Sequence, residues 1–110
     1  MVGLKQGDII KVDFNPIIGS EQGNYRPALV ISNNFTISKT NIITLIPITN
    51  TNSNHPLNVA LNGSETTGMA LCSHIRSLDL KARKFKVIET ISKNKLDEVL
   101  EVVFAMLDNQ

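Results

Sequence analysis

A chain of 110 residues, 42% of them hydrophobic, is long enough to bury one core without disulfide or metal support, so a single domain spanning residues 1–110 is expected. Its one cysteine, Cys72, excludes an internal bridge, and no stretch approaches the roughly 20 apolar residues of a membrane-spanning helix. With no charged leader ahead of the first apolar run, the cytoplasm is the expected compartment and no membrane contact is expected. The net charge of +1 is unevenly spread: residues 76–95 hold seven bases against Asp79 and Glu89, whereas from Leu96 onward there are four acids and no base. Such a basic stretch can track a phosphate backbone, or it can be solvated surface.

In chain order, the first strand is read at 8–13, where Ile9, Ile10 and Val12 cluster. A polar, glycine-punctuated loop follows, closed by Arg26-Pro27. Pro27 restricts Arg26 to extended backbone, which sets the guanidinium on a stiff base at the start of a second strand, 27–33. A loop this rich in polar groups between two strands is where function is expected. A short helical turn over 35–39 precedes strands at 41–48, 57–61, 69–78 and 85–91, and the mobile polar run 50–54 sits after the third of these six strands. Short strands with tight connections suggest a small, curled antiparallel barrel rather than an alternating α/β sheet. The period then changes. Leu96, Val99, Leu100, Val103 and Leu107 fall on one helix face, with Ser92 as N-cap and Asp97, Glu98 and Glu101 outside, so a C-terminal amphipathic helix covering one end of the barrel is predicted.

No metal-ligand spacing is present: His55 and His74 are 19 residues apart and the carboxylates do not cluster, so neither a metal nor another cofactor is expected. Gly19-Ser20-Glu21-Gln22 lacks the lysine of a nucleotide phosphate loop.

The run VDFNPIIGSEQGNYRP at 12–27, followed by LIPIT at 45–49 and TTGMALCSHIRSLDLKAR at 66–83, resembles the MazF/PemK/Kid toxins, bacterial endoribonucleases of type II toxin–antitoxin systems. The blocks occur in family order over nearly the whole chain. The resemblance implies a mainly β fold, an SH3-like barrel with a terminal helix of the CcdB/MazF/Kid kind, working as a homodimer. It also implies metal-independent, sequence-selective cleavage of single-stranded RNA, chiefly mRNA, and restraint by a cognate antitoxin lying along the groove near residues 19–26. The implied products are a 2′,3′-cyclic phosphate, or its 3′-phosphate, and a 5′-OH.

Such chemistry needs help in removing the 2′-OH proton, donors for the charge developing on phosphate, and a proton for the 5′-oxygen. Arg26 suits the second task through its planar fork of donors; its competing role is to tie loop to barrel. The resemblance pairs it with Thr49, which is otherwise an ordinary strand-end residue. Glu21 can orient Arg26 or accept a proton. Ser20 and Gln22 can bond phosphate or base edges, or simply hold the turn. His74 occupies the family's usual glutamine position beside the RNA groove, and Arg76 and Arg83 match basic positions able to bind flanking phosphates. One departure is plain: the Arg-x-Asp pair of the Kid/PemK branch is replaced by Leu71 and Ser73, so the MazF-type Arg26/Thr49 arrangement is expected. The rival readings are a CcdB-like toxin that binds gyrase without catalysis, and a passive RNA-binding barrel. The sparse aromatics count against the second.

Overall fold

The computed structural model describes residues 1–14, 25–50, 55–61 and 65–109. Seven strands and two helices follow in the order β1 (Asp8–Asp13), β2 (Tyr25–Val30), α1 (Asn34–Lys39), β3 (Ile42–Thr49), β4 (Asn58–Ala60), β5 (Met69–Leu71), β6 (Arg76–Asp79), β7 (Phe85–Thr90) and α2 (Lys93–Leu107), with a 3-10 turn at Cys72–His74 between β5 and β6. All pairings are antiparallel, in the order β4-β5-β3-β2-β1-β7, and β6 also pairs with β3. The ladder is curled but its ends do not join, so the expected barrel is an open one.

Alternation along the strands divides the core in two. Ile10, Val12, Ala28, Val30, Ile43, Leu45 and Leu78 fill the inside of the curl, with Phe14 and Phe85 against them. Ile9, Leu29, Ile46, Ile48, Ala70 and Cys72 point outward and are covered by Val99 and Val103 of α2. Ile9 and Ile10, adjacent in sequence and both fully buried, therefore belong to opposite clusters, as a period of two requires.

The Ser92 side chain accepts from the Lys95 N–H at 3.2 Å, the predicted cap, a bond whose loss typically costs about 1 kcal/mol. Asp97, Glu98 and Glu101 are exposed as expected. Two details differ. Leu107, assigned to the inner face, is 70% exposed, because at the end of α2 it is Met106 that packs on the outer cluster, and α2 lies on the outer face of the sheet rather than across an end of the barrel.

The strand predicted over 69–78 is broken. Thr44 C=O accepts from Ile31 and Ser32, so β3 turns the backbone of its even residues to β2 and of its odd residues to β5 and β6. The β6 ladder stops at Leu45–Arg76 and the β5 ladder begins at Ile48–Ala70. Between them stands Pro47, which has no N–H to donate on that side. The partner strand detours into the 3-10 turn there. Among the described residues no helix is long and apolar enough to cross a membrane.

Candidate active site

β1 and β2 pair from Ile9–Leu29 out to Asp13–Tyr25, so the chain enters and leaves the segment 15–24 at fixed, adjacent points. Ser20, Glu21 and Gln22 lie in that segment, outside the described residues. Arg26 lies opposite Val12. Its side chain shares the inner face with Val12 and Ala28, but it is exposed where those two are fully buried, which places it at the mouth of the curl.

Thr49 comes to the same mouth from the other direction. β2 and β3 pair as Ala28–Pro47, Leu29–Ile46 and Val30–Leu45; two more steps of that register bring Arg26 level with Thr49, on the same face. The ladder itself ends at Ala28–Pro47. Val30 C=O accepts from Gly7 on the β1 side, so β2 turns its odd residues toward β3, and the next donor in line would be the N–H that Pro27 lacks. The two strands therefore part beyond Ala28, with Arg26 and Thr49 flanking the opening.

Gly68 fixes the back of Thr49. At φ +124° it presents a bare Cα where an added Cβ would stand 2.3 Å from Thr49 O and 3.0 Å from Asn50 Oδ1. Only glycine permits this approach. Its role was not read from the sequence, where the glycine before a strand signalled only a turn.

The other candidates divide. Arg76, exposed on β6, holds its guanidinium 5.1 Å from the centre of the Phe14 ring, and so spans the curl from β6 to the end of β1 at the entry to 15–24. Arg83 is half-buried and donates from Nη1 to Asp13 O at 2.9 Å. That bond ties down the same exit point, a positioning task beside any phosphate contact. His74 is exposed at the end of the 3-10 turn, on the β3 edge away from β2. Leu71 is half-buried and paired with Asn58, and Ser73 is exposed; neither side chain can supply an acid–base pair.

Of the seven bases in 76–95, two are matched on α2: Lys93 pairs with Asp97 at 3.2 Å and Lys95 with Glu98 at 3.0 Å. Those two are not part of a free basic track. Cys72 is fully buried, and burial, with Glu98 adding to it, pushes its thiol up from the ordinary value of 9.0 against the lowering effect of a backbone hydrogen bond. Because the thiolate is the nucleophile, this cysteine is a packing residue.

Known proteins resemble this chain in sequence and in fold. Residues 5–107 match the PemK-like, MazF-like toxin of type II toxin-antitoxin systems. The chain is 37% identical over 90 residues to the endoribonuclease toxin MazF of Escherichia coli, covering 82% of this chain and 81% of that protein. It is 31% identical over 113 residues to the endoribonuclease EndoA of Bacillus subtilis, covering 96% and 97% respectively. Among solved structures, MazF from Deinococcus radiodurans superposes with a TM-score of 0.81 at 30% identity over 94% of this chain and 96% of that one. The MazE–MazF complex from the same organism matches with a TM-score of 0.81 at 25% identity over 97% of each. By the extent of the match and the level of identity, this chain belongs to the PemK-like, MazF-like toxin family of type II toxin-antitoxin systems.

Proposed function

We propose that this protein is the toxin of a toxin–antitoxin pair, a metal-independent endoribonuclease that cuts single-stranded RNA at the mouth between β2 and β3. The observation that supports the reading is the β2–β3 register, which ends at Ala28–Pro47 and, carried two steps further, sets Arg26 level with Thr49 where the strands part. Arg26 donates from its guanidinium fork to the non-bridging phosphate oxygens, where charge builds as the 2′-oxygen attacks phosphorus. Thr49 sets its hydroxyl against the same phosphate or the 2′-OH. The 2′-oxygen forms its bond to phosphorus as the bond to the 5′-oxygen breaks; one proton leaves the 2′-OH and one reaches the departing 5′-oxygen. The products are a 2′,3′-cyclic phosphate and a 5′-OH, and addition of water to the cyclic ester gives the 3′-phosphate. Glu21 and His74 are the side chains assigned to proton transfer or substrate contact, with Ser20, Gln22, Arg76 and Arg83 along the RNA.

The physiological form is proposed to be a homodimer in the cytoplasm, held inactive by a cognate antitoxin at the 19–26 segment. Phe104 and Leu107, 64% and 70% exposed near the end of α2, supply apolar surface suited to association. The test is incubation of the purified protein with a long RNA in excess EDTA, followed by mapping of both ends. Cleavage that persists and leaves 5′-OH ends supports the mechanism. Cleavage that requires a divalent metal overturns it, and absence of cleavage together with capture of gyrase favours the CcdB-like reading.

A further inference from the structure

Tyr25 and Arg26 are neighbours on β2, so their side chains leave the strand on opposite faces. Arg26 faces the mouth of the curl. Tyr25 faces outward and, with Lys11 and Pro27, lines a cleft of about 300 Å³ at the parting of β2 and β3, closed on the far side by Asn50 and Thr66. The cleft exists because Pro27 ends the β2–β3 ladder: the backbone N–H and C=O of Tyr25 are turned toward β3 at a level the ladder does not reach. Its outer wall is held in place. The Glu89 carboxylate accepts from the Glu65 N–H at 3.2 Å and the Thr66 N–H at 2.6 Å, which clamps the turn before β5 onto β7.

The charge around the cleft is mixed: Lys11 and Glu65 line it, Asp13 lies opposite Tyr25 in the β1–β2 ladder, and the Glu89 carboxylate is held by two backbone N–H groups, while lysines gather on the β1–β7 side. Lys84 Nζ stands 6.0 Å from the centre of the Tyr25 ring. Lys11 lies directly opposite Lys86 in the β1–β7 ladder, on the same outward face. Like charges directly opposite one another destabilise a sheet, and none of the three lysines has an ion-pair partner among the described residues. A bound polyanion relieves that repulsion. An aromatic ring with Lys84 beside it and Lys11 in the same cleft, and with an amide and hydroxyls across from it, is the equipment for a nucleotide: a π-face for the base, hydrogen-bonding groups for its edge and cations for the flanking phosphates.

We propose that this outward cleft is a nucleobase subsite for single-stranded RNA, with Tyr25 as its stacking platform and Lys11, Lys84 and Lys86 as its phosphate contacts. The strand crosses the unladdered edge of β2, so that a base sits on Tyr25 while a neighbouring phosphate reaches Arg26 one residue away on the other face. The identity of the natural ligand rests on the ribonuclease reading. The binding itself can be measured without it.

Tyr25 is the single tyrosine of a chain without tryptophan, so its fluorescence is a direct probe. The protein is titrated with a short 2′-O-methyl RNA oligonucleotide, which cannot be cut, and with the same oligonucleotide made abasic; binding is followed in parallel by anisotropy, with free tyrosine as the absorbance control. The expected result is quenching that saturates with the anisotropy change for the intact oligonucleotide and is absent for the abasic one. Tyr25→Leu, which keeps an apolar side chain without a π-face, is expected to weaken binding about 10-fold, while Tyr25→Phe stays near wild type. Lys11→Ala, on the surface, should lower the slope of log affinity against log salt by about one. Binding with unchanged Tyr25 emission, Tyr25→Leu binding at wild-type strength, an unchanged salt slope for Lys11→Ala, or no binding at all overturns the proposal. Quenching in a protein that fails to cut RNA leaves the cleft standing and removes the ribonuclease reading; cutting without quenching does the reverse.

Discussion

The inside of the curl and the outer face of the same sheet are both apolar, but they are sealed by different means and end differently. The inner cluster is built mainly from strand residues that bury one another as the sheet bends, with Leu4, Leu80 and Ile37 of α1 added to them, and it stops at a mouth bearing Arg26 and Thr49. The outer cluster cannot close on itself. It needs Val99 and Val103 of α2 to cover Ile9, Leu29 and Ile46, and where the helix no longer covers the sheet, Lys11, Tyr25 and Pro27 line an open cleft. Sheet curvature thus makes one site by ending a closed core, and incomplete cover by a helix leaves another. A single pair of residues, Tyr25 and Arg26, looks out on both.

The comparison breaks most readily at Arg26. Arg26→Ala is expected to lower the cleavage rate about 10²- to 10³-fold, the usual cost of removing one transition-state donor, with the melting temperature unchanged because the side chain is exposed at the mouth. Arg26→Lys should remain poor, since a point charge does not reproduce the two-pronged contact, and Thr49→Val tests the hydroxyl at constant shape. Wild-type cleavage by folded Arg26→Ala and Thr49→Val variants would remove the mouth as the reaction site.

The next effect separates the two clusters. Ile9→Ala and Ile10→Ala should each cost about 2–5 kcal/mol in denaturant unfolding, since both side chains are fully buried. Only Ile9→Ala is expected to speed hydrogen exchange in α2 ahead of global unfolding, because Ile9 alone packs in the cluster that the helix covers. Equal protection of α2 in both variants would mean that the two clusters act as one cooperative unit.

Gly68→Ala should destabilise by about 1–3 kcal/mol, the range for a strained backbone conformation in a non-glycine residue. It should slow cleavage as well, since the new Cβ would be forced against Thr49 O. Loss of stability with full activity would show that Gly68 supports the fold without setting Thr49.

The smallest effect is at Cys72. A thiol whose folded pKa is raised contributes stability that is fully present below its unfolded value and fades as pH rises through the folded one. With an ordinary value of 9.0 raised by burial, native Cys72 should resist alkylation at neutral pH, and stability should begin to fall above about pH 9. A Cys72→Ala variant should show a smaller alkaline decline than the parent, measured by chemical denaturation across that range.

Local pattern was enough to specify much of this protein. The period-two runs marked β1, β3 and β7, the 3.6 period and Ser92 marked α2, and a polar loop ending in Arg26-Pro27 marked one lip of the candidate site, because these signals depend on neighbours in sequence. What depended on distant partners was not legible. The break between β5 and β6 arises because Pro47, on a different strand, leaves nothing to pair with. Leu107 carries the helical pattern yet is exposed, because the last contact of α2 with the outer cluster is made by Met106. The clefts follow the same rule: Pro27 reads in sequence as a stiffener of Arg26, but only the assembled sheet makes its missing N–H the point where β2 and β3 separate. Periodicity determined which residues face inward or outward; which of those faces is left open was decided by where ladders end and where the helix stops, a matter of long-range hydrogen bonding and cover that no local window contains.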